Sequence, residues 1–284
     1  MGVGGVALAA DVWDGERCGV LLVHGLASNA RLWDGVVAAL QDRGHAVCTV
    51  DLRGHGRSEK PGTGYAVPTV ADDLAEVVGD LRRHRGGPWR RPVVAGQSWG
   101  GNVVVELADR HPSAVAGVVG VDGGVIELAE RFSSPAGARQ ALAPPALAGT
   151  PAVDVERAVR VAHPGWSDVA VAGMLANFER RRDGSVAPWL TFERHLQVLD
   201  GLWAHRPSAV FPRLTVPVLL LMADDGGRGP LEAAKRAAVD RAVACAGAGA
   251  RAVWFAADHD VHAEQPEAVA QAIADAAVAW TAGG

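Results

Sequence analysis

The sequence predicts an α/β protein in which helices cover both faces of a mostly parallel sheet. Six short apolar runs, rich in Val or Leu, have the length of β-strands. They lie at residues 18–24, 45–51, 91–97, 115–122, 216–222 and 250–256. Helical patterns separate several of these runs, and strands that alternate with helices form parallel sheets that are buried on both faces.

The clearest helical pattern is an apolar stripe between the second and third predicted strands. Its members recur at helical spacing: Val67, Val70, Leu74, Val77, Val78 and Leu81. The segment "WGGNVVVELADRH" (99–111) predicts a second helix directly after the third strand. Two further helices, at residues 231–246 and 266–280, are expected to return the chain to the sheet.

The alternation of strands and helices stops between residues 125 and 211. No convincing strand occurs there, and helical patterns with proline breaks take over. This segment holds four of the five Phe and three of the nine Trp residues, so much of the aromatic content lies outside the regular pattern. We therefore predict a helical insertion at residues 125–211, and a core domain formed by residues 1–124 and 212–284.

Composition and charge argue against membranes and nucleic acids as partners. No stretch approaches the roughly 18 uninterrupted apolar residues that a membrane helix needs. The net charge is −5, and the one dense basic cluster, "ERRRD" at 179–183, is bracketed by acids. Residues 1–19 lack a basic segment followed by an apolar one, so we expect a cytoplasmic location. The sequence predicts no oligomeric state.

No cofactor or metal is expected from the sequence. Cys18, Cys48 and Cys245 are too few and too scattered for a disulfide framework or a zinc site. The glycines in "VGGVA" near residue 3 lack the spacing and the following helix of a dinucleotide fingerprint. There is also no phosphate loop in the sequence.

The segment "VAGQSWGG" (94–101) places Ser98 between Gly96 and Gly100, after a predicted strand and before a predicted helix. A serine at such a sharp turn projects its hydroxyl from the carboxyl edge of the sheet, and the glycines prevent collisions around the strained backbone. Ser98 is therefore a candidate nucleophile. The alternative is an ordinary glycine-rich turn.

Four segments together resemble the α/β-hydrolase superfamily. They are "LLVHGLASNARLW" (21–33), "VDLRGHGRS" (50–58), "GQSWGG" (96–101) and "ADHDVHAEQPEAV" (257–269), in the family's order. The resemblance implies an α/β-hydrolase fold in which residues 125–211 form a helical cap. This cap follows the strand that the family counts as its sixth.

The resemblance also implies roles for particular residues. Ser98 would be the nucleophile, and the backbone N–H groups of Leu26 and Trp99 would form the oxyanion hole. His259 matches the family's base and is preferred over His262, although Asp258 stands where the family has Gly. By the same analogy, two other histidines would brace their loops, namely His24 and His55.

The acid of the triad has two candidates. The family usually carries it after the strand at 216–222, where counting from Pro217 gives Gly226, with Asp225 one residue earlier. In some members the acid ends the preceding strand, where this chain has Asp122. We favour Asp122 and keep Asp225 as the alternative. In each case the residue could instead be a simple turn former.

Serine at the elbow argues against the dehalogenase and epoxide-hydrolase branches, which use aspartate there. We expect an esterase or lactonase that forms an acyl-serine on a small hydrophobic ester-like substrate. A thioesterase or a carbon-carbon bond hydrolase would use the same triad, and a non-catalytic hydrolase-fold binding protein is the alternative of another class. Aromatic residues of the insertion are candidates for the substrate pocket: Trp166, Trp189, Phe192 and Trp203.

Overall fold

The structure is a computed structural model that describes residues 2–3, 5–227 and 229–281. Its strands are β1 (Gly2–Val3), β2 (Val6–Ala7), β3 (Ala10–Trp13), β4 (Arg17–Val23), β5 (His45–Val50), β6 (Val93–Gln97), β7 (Gly117–Val121), β8 (Phe178–Arg180), β9 (Val186–Pro188), β10 (Val218–Asp224) and β11 (Ala250–Ala256). Short 3₁₀ turns lie at Ala30–Trp33, Gly87–Trp89, Pro112–Ala114 and Phe211–Arg213.

The α-helices are α1 (Asp34–Asp42), α2 (Val67–Arg85), α3 (Trp99–Arg110), α4 (Leu128–Arg131), α5 (Pro135–Ala141), α6 (Ala152–Ala162), α7 (Asp168–Leu175), α8 (Phe192–Ala204), α9 (Pro207–Val210), α10 (Pro230–Cys245), α11 (Val261–Glu264) and α12 (Pro266–Thr281). Among the described residues, none of these helices is both long enough and apolar enough to cross a membrane.

A seven-stranded sheet in the order β11-β10-β7-β6-β4-β5-β3 forms the centre of the molecule. Neighbouring strands are parallel except for the edge strand β3, which pairs antiparallel with β5. Each of the six predicted runs overlaps one strand of this sheet. Sequence analysis missed β3, since its four residues are only partly buried and form no long apolar run.

Helices cover both faces of the sheet. On one face, Val70 and Leu74 of α2 pack in a buried cluster with Val103 of α3. On the other face, Leu40 of α1 packs in a second cluster with Ile273 of α12. Burial on both faces explains why the central strands read as continuous apolar runs rather than as alternating patterns.

The chain leaves the sheet after β7 and rejoins it at β10. Between them lie α4 to α9 and a separate antiparallel hairpin formed by β8 and β9. We call residues 125–211 the inserted segment. It is mostly helical, but the hairpin departs from the helical content that the sequence indicated, because three-residue strands are too short for a recognisable period.

One glycine of the sheet gives a test of the packing. A Cβ at Gly117 would lie 2.3 Å from Cε3 of Trp280, so Gly117→Ala forces the indole of α12 away from the sheet. We expect a loss of about 1–3 kcal/mol in the free energy of unfolding, measured by urea denaturation. The control is Gly165→Ala, since nothing lies within 4 Å of a Cβ there. Equal stability of the two variants would contradict this packing.

Candidate active site

Ser98 occupies a strained turn between β6 and α3. Its backbone has φ 52° and ψ −121°, a left-handed conformation that is costly for a residue with a side chain. Two hydrogen bonds hold it: the Ser98 N–H donates to the Val121 carbonyl (3.0 Å), and the Ser98 carbonyl accepts from the Gly101 N–H (2.9 Å). This is the geometry of a nucleophile elbow.

The glycines around this turn are required by close backbone contacts. A Cβ at Gly96 would lie 2.2 Å from the carbonyl oxygen of Gly100. A Cβ at Gly100 would lie 2.3 Å from the carbonyl oxygen of His24. A Cβ at Gly123 would lie 2.2 Å from the carbonyl oxygen of Ser98. Side chains at these positions would push the turn out of shape.

His259 and Asp122 form a short hydrogen bond. Asp122 follows β7, and its Oδ2 lies 2.6 Å from Nδ1 of His259, in the loop after β11. Because a carboxylate only accepts, Nδ1 carries the proton and Nε2 remains available as a proton acceptor. No hydrogen bond joins Nε2 to the Ser98 hydroxyl in the described chain. Such bonds are often long before a substrate binds.

Asp122 is buried, with its side chain only 6% exposed, and its second oxygen is also occupied. Oδ1 accepts from the Ala223 N–H (3.1 Å) and lies 3.1 Å from Nζ of Lys235 on α10. Sequence analysis missed Lys235, because no local pattern places a lysine 113 positions away against this carboxylate. The two oxygens of Asp122 therefore face two different cationic groups when His259 is protonated.

These contacts shift the pKa values of both partners. Burial would raise the pKa of the Asp122 carboxyl, but the hydrogen bond and charge of His259, with the charge of Lys235, outweigh it and lower that pKa. Partial burial would lower the pKa of His259, whose side chain is 54% exposed. The hydrogen bond and charge of Asp122, with the charge of Asp260, outweigh this and raise the pKa of His259.

The other candidate acid lies apart from His259. Oδ1 of Asp225 accepts from the Gly227 N–H (2.7 Å) in an exposed turn that follows β10. Gly226, at the usual acid position, has φ 79°. Of the two aspartates that the sequence left open, the structure pairs Asp122 with the imidazole and leaves Asp225 as a turn former.

His262 cannot serve as the base in this geometry. Its side chain is fully buried, with its ring 4.4 Å from that of Trp33, and neither ring nitrogen has a partner in the described chain. Burial, aided by the charges of His259 and His24, lowers the pKa of His262 to about 3. The ring is therefore a neutral core residue at ordinary pH.

His24 and His55 are bound within their loops. Nδ1 of His24 donates to the Gly25 carbonyl (2.8 Å), and its Nε2 accepts from the Leu52 N–H (2.9 Å). Nδ1 of His55 donates to the Arg53 carbonyl (3.0 Å). Burial lowers the pKa of both imidazoles, so both rings are neutral. Their hydrogen bonds hold the loops in place.

Two backbone N–H groups at the predicted oxyanion hole have no acceptor among the residues that the structure describes. Neither Leu26 nor Trp99 donates its amide proton to any group of the described chain, whereas the amide of Ala27 donates to Nε2 of His55 (3.3 Å). Trp99 is the first residue of α3, where the helix dipole favours negative charge. These amides are free to stabilise an oxyanion.

Gln97 is a further residue that sequence analysis did not single out. It is buried directly before Ser98, and its Nε2 donates to the His259 carbonyl (3.4 Å) and to Oδ1 of Asp260 (3.3 Å). Its position directly before Ser98 is the sequence feature that could have identified Gln97. Gln97 ties the loop of His259 to the turn that holds Ser98.

A cavity of about 750 Å³ lies between the core and the inserted segment. Ala27, Ser28 and His55 line it from the core side. Trp189 and Phe192 line it from the inserted segment. Most of the exposed lining is apolar.

The other two predicted pocket residues lie elsewhere. Trp166 is buried in a cluster with Leu32 and stacks on the ring of His163 at 4.0 Å. Trp203 packs against the main core. A second cavity, of about 330 Å³, opens between α9 and α10, and the lining of neither cavity includes Ser98, His259 or Asp122. Aromatic character alone did not distinguish pocket residues from core residues.

Comparisons with known proteins agree with the fold. The model of the alpha/beta hydrolase fold family matches residues 20–155. The 2-(acetamidomethylene)succinate hydrolase of Mesorhizobium japonicum is 35% identical over 103 residues, which is 36% of this chain and 34% of that protein. The match thus spans about a third of that relative's length.

Solved structures match over nearly the whole chain. The crystal structure of E-2-(acetamidomethylene)succinate hydrolase has a TM-score of 0.77 and 25% identity, and the alignment covers 96% of both chains. The chain belongs to the α/β-hydrolase superfamily. The enol-lactonase of Burkholderia xenovorans LB400 shares the fold, with a TM-score of 0.67, 20% identity and coverage of 97% of this chain and 98% of that one. The similar structures named here are of hydrolases.

The electrostatics of this α/β-hydrolase site can be tested without a substrate. Asp122→Asn removes the carboxylate that raises the pKa of His259, so that pKa should fall. Lys235→Met removes a nearby cation that lowers it, so the pKa should rise. NMR titration of the His259 ring measures both shifts, with Asp225→Asn as the control that leaves the pKa unchanged. A shift in Asp225→Asn alone would contradict the pairing.

Proposed function

We propose that this chain is a serine hydrolase that cleaves an ester or lactone bond of a small hydrophobic substrate. The observation that carries the proposal is the Asp122–His259 hydrogen bond, since it leaves Nε2 of His259 as an acceptor. Gln97, the residue before the strained Ser98, ties the loop of His259 to that turn. The enol-lactonase named above supports it at the level of the fold.

The first half of the reaction forms the acyl-enzyme. Ser98 Oγ attacks the substrate carbonyl carbon while its proton passes to Nε2 of His259, and Asp122 stabilises the resulting imidazolium. The amides of Leu26 and Trp99 donate to the oxyanion of the tetrahedral intermediate. The intermediate collapses, the bond to the leaving oxygen breaks, and His259 returns the proton to that oxygen.

The second half uses water as the nucleophile. His259 takes a proton from a water molecule, whose oxygen attacks the acyl carbon. The second tetrahedral intermediate collapses, the bond to Ser98 Oγ breaks, and the proton returns to Oγ. The product acid leaves, and the site is restored. No group outside this chain is needed besides substrate and water.

The inserted segment would serve as the cap of this site. Its Trp189 and Phe192 face the same cavity as Ala27, next to the predicted oxyanion hole. A volume of about 750 Å³ lies within the range of small-molecule sites, and its largely apolar wall favours a hydrophobic acyl or alcohol portion. Apolar walls also exclude water, which strengthens the electrostatic contacts inside.

Labelling tests the nucleophile. A fluorophosphonate should modify the protein at Ser98 alone, because only an activated serine attacks such a phosphorus centre. Peptide mapping by mass spectrometry locates the adduct. Ser98→Ala should keep the circular dichroism spectrum and lose both labelling and ester hydrolysis. Labelling at another serine, or none in folded protein, would refute the assignment.

Kinetics test the acid and the base together. For the native protein, kcat/KM should fall as the pH drops through the raised pKa of His259, because a protonated imidazole cannot accept the Ser98 proton. Asp122→Asn should lower kcat by about 10⁴-fold and move the remaining acid limb to lower pH.

Asp225→Asn is the matched control and should change neither kcat nor the pH of the acid limb. Assays of ester, lactone and thioester panels on the same variants identify the bond that is cleaved. A large loss in Asp225→Asn with little loss in Asp122→Asn would reverse the assignment of the acid.

A further inference from the structure

The acid of the proposed triad lies in a strained turn. The backbone of Asp122 has φ 39°, a left-handed conformation that is unfavourable for a residue with a side chain. Such strain persists only where the surrounding structure holds the backbone in place. On the side of the sheet, the Asp122 N–H donates to the Leu221 carbonyl (2.8 Å). The residues that follow Asp122 lead into the inserted segment, and they are held by a different group.

That group is the side chain of Asn102, on the helix that follows the elbow. Asn102 lies four residues after Ser98 on α3 and is fully buried. Its Oδ1 accepts from the N–H groups of Gly124 (3.1 Å) and Ile126 (3.2 Å). Its Nδ2 donates to the Ile126 carbonyl (2.7 Å). Because Ile126 both donates to this amide and accepts from it, only one orientation of the amide satisfies all three bonds.

Backbone packing joins the same two parts of the chain. A Cβ at Gly101 would lie 2.5 Å from the backbone nitrogen of Gly124. The start of α3 and the chain after Asp122 are therefore in direct contact, with no side chain between them. Close-packed interiors transmit small displacements, so a shift of residues 124–126 would also move the turn of Asp122.

The second proton of the Asn102 amide reaches the other end of the inserted segment. Nδ2 also donates to Nδ1 of His205 (3.1 Å), the residue that follows α8. Since Nδ1 accepts, the ring proton lies on Nε2, which donates to Oε2 of Glu106 (3.1 Å), one turn further along α3. One buried amide thus contacts the inserted segment near its start, at Ile126, and near its end, at His205.

We propose that Asn102 is a positioning residue, which directs the Asp122 carboxylate towards His259 by holding the turn that follows Asp122. Its effect on the reaction rate rests on the proposed hydrolase function. Its effect on the Asp122–His259 hydrogen bond does not, since that bond is present without substrate. The side-chain bonds of Asn102 in the described chain go to Gly124, Ile126 and His205, so it acts through Asp122 and not on the substrate.

Removal of the amide tests this role, and a second buried asparagine provides the control. Asn29 is only 2% exposed and also joins the core to the inserted segment. Its Nδ2 donates to the Gly173 carbonyl of α7 (2.9 Å), and its Oδ1 accepts from the Arg31 N–H (2.9 Å). Asn102→Ala and Asn29→Ala are therefore the same change at two such links, of which only the first holds the turn of Asp122. Circular dichroism and thermal unfolding establish that both variants fold.

The first measurement needs no substrate. The Nδ1 proton of His259 lies in a short bond to Asp122, so it resonates far downfield in the ¹H NMR spectrum. In Asn102→Ala the carboxylate is no longer held, and this resonance should move upfield or disappear. The pKa of His259 should fall as well, because the contact with Asp122 raises it. In Asn29→Ala the resonance should stay where it is in the native protein.

The second measurement is the kinetics of p-nitrophenyl ester hydrolysis. Asn102→Ala should lower kcat by about 10- to 100-fold, since a displacement of about 1 Å in the catalytic geometry can cost on the order of 10²-fold. Any change in KM should be smaller than this, because the buried amide does not contact the substrate. Should Asn102→Ala fail to fold, Asn102→Ser leaves a polar group in the gap and is subjected to the same two measurements.

The outcomes separate the positioning role from the hydrolase function. If the native protein cleaves esters, but the His259 resonance is unchanged in the Asn102 variant, or shifts equally in Asn29→Ala, or the kinetic loss is confined to KM, the role of Asn102 is refuted and the hydrolase function stands. If the resonance shifts in the Asn102 variant alone, while folded native protein cleaves no ester and is not labelled by a fluorophosphonate, Asn102 does hold Asp122 and the hydrolase function fails.

Discussion

The site depends on the hydrogen bond between His259 and Asp122, and the sheet determines where that bond can form. The Ser98 N–H donates to Val121 at the end of β7, and the Asp122 N–H donates to Leu221 of β10 (2.8 Å). The carboxyl ends of β6, β7 and β10 are thereby joined at one edge. Parallel strands bring their carboxyl ends to the same edge, where open α/β sheets bind ligands.

Electrostatics explain why a buried carboxylate can remain ionised there. Desolvation alone would favour the neutral acid, but Lys235, the Ala223 N–H and His259 all stabilise the charged form. Lys235 has a second effect, because its charge lowers the pKa of His259 while Asp122 raises it. The pKa of His259 is thus held above its ordinary value by Asp122 and kept from rising further by Lys235.

Much of the fold could be predicted from the sequence, because buried parallel strands are apolar runs and helices repeat every 3.6 residues. β3 and the β8–β9 hairpin were missed, since short, half-exposed strands carry no comparable signal. Ser98 was predictable from its local pattern of glycines. The resemblance favoured Asp122 over Asp225, but no local pattern establishes this pairing, because it depends on which strand end faces the loop of His259, a contact between residues 137 positions apart.

The residues that line the cavity were also not predictable from the sequence alone. Trp189 and Trp166 have equal aromatic character, yet one lines the cavity and the other is buried against Leu32. Whether an aromatic side chain lines the cavity or packs in the core depends on tertiary contacts, which a local sequence pattern does not contain.

The most direct test of the account observes the central hydrogen bond itself. A proton in a short bond between an imidazole Nδ1 and a buried carboxylate is deshielded and resonates far downfield in the ¹H NMR spectrum, where it can be assigned through ¹⁵N labelling of histidine. We predict one such resonance from His259 that is present in the native protein and in Asp225→Asn and is lost in Asp122→Asn. Its persistence in Asp122→Asn, or its loss in Asp225→Asn, would contradict the account.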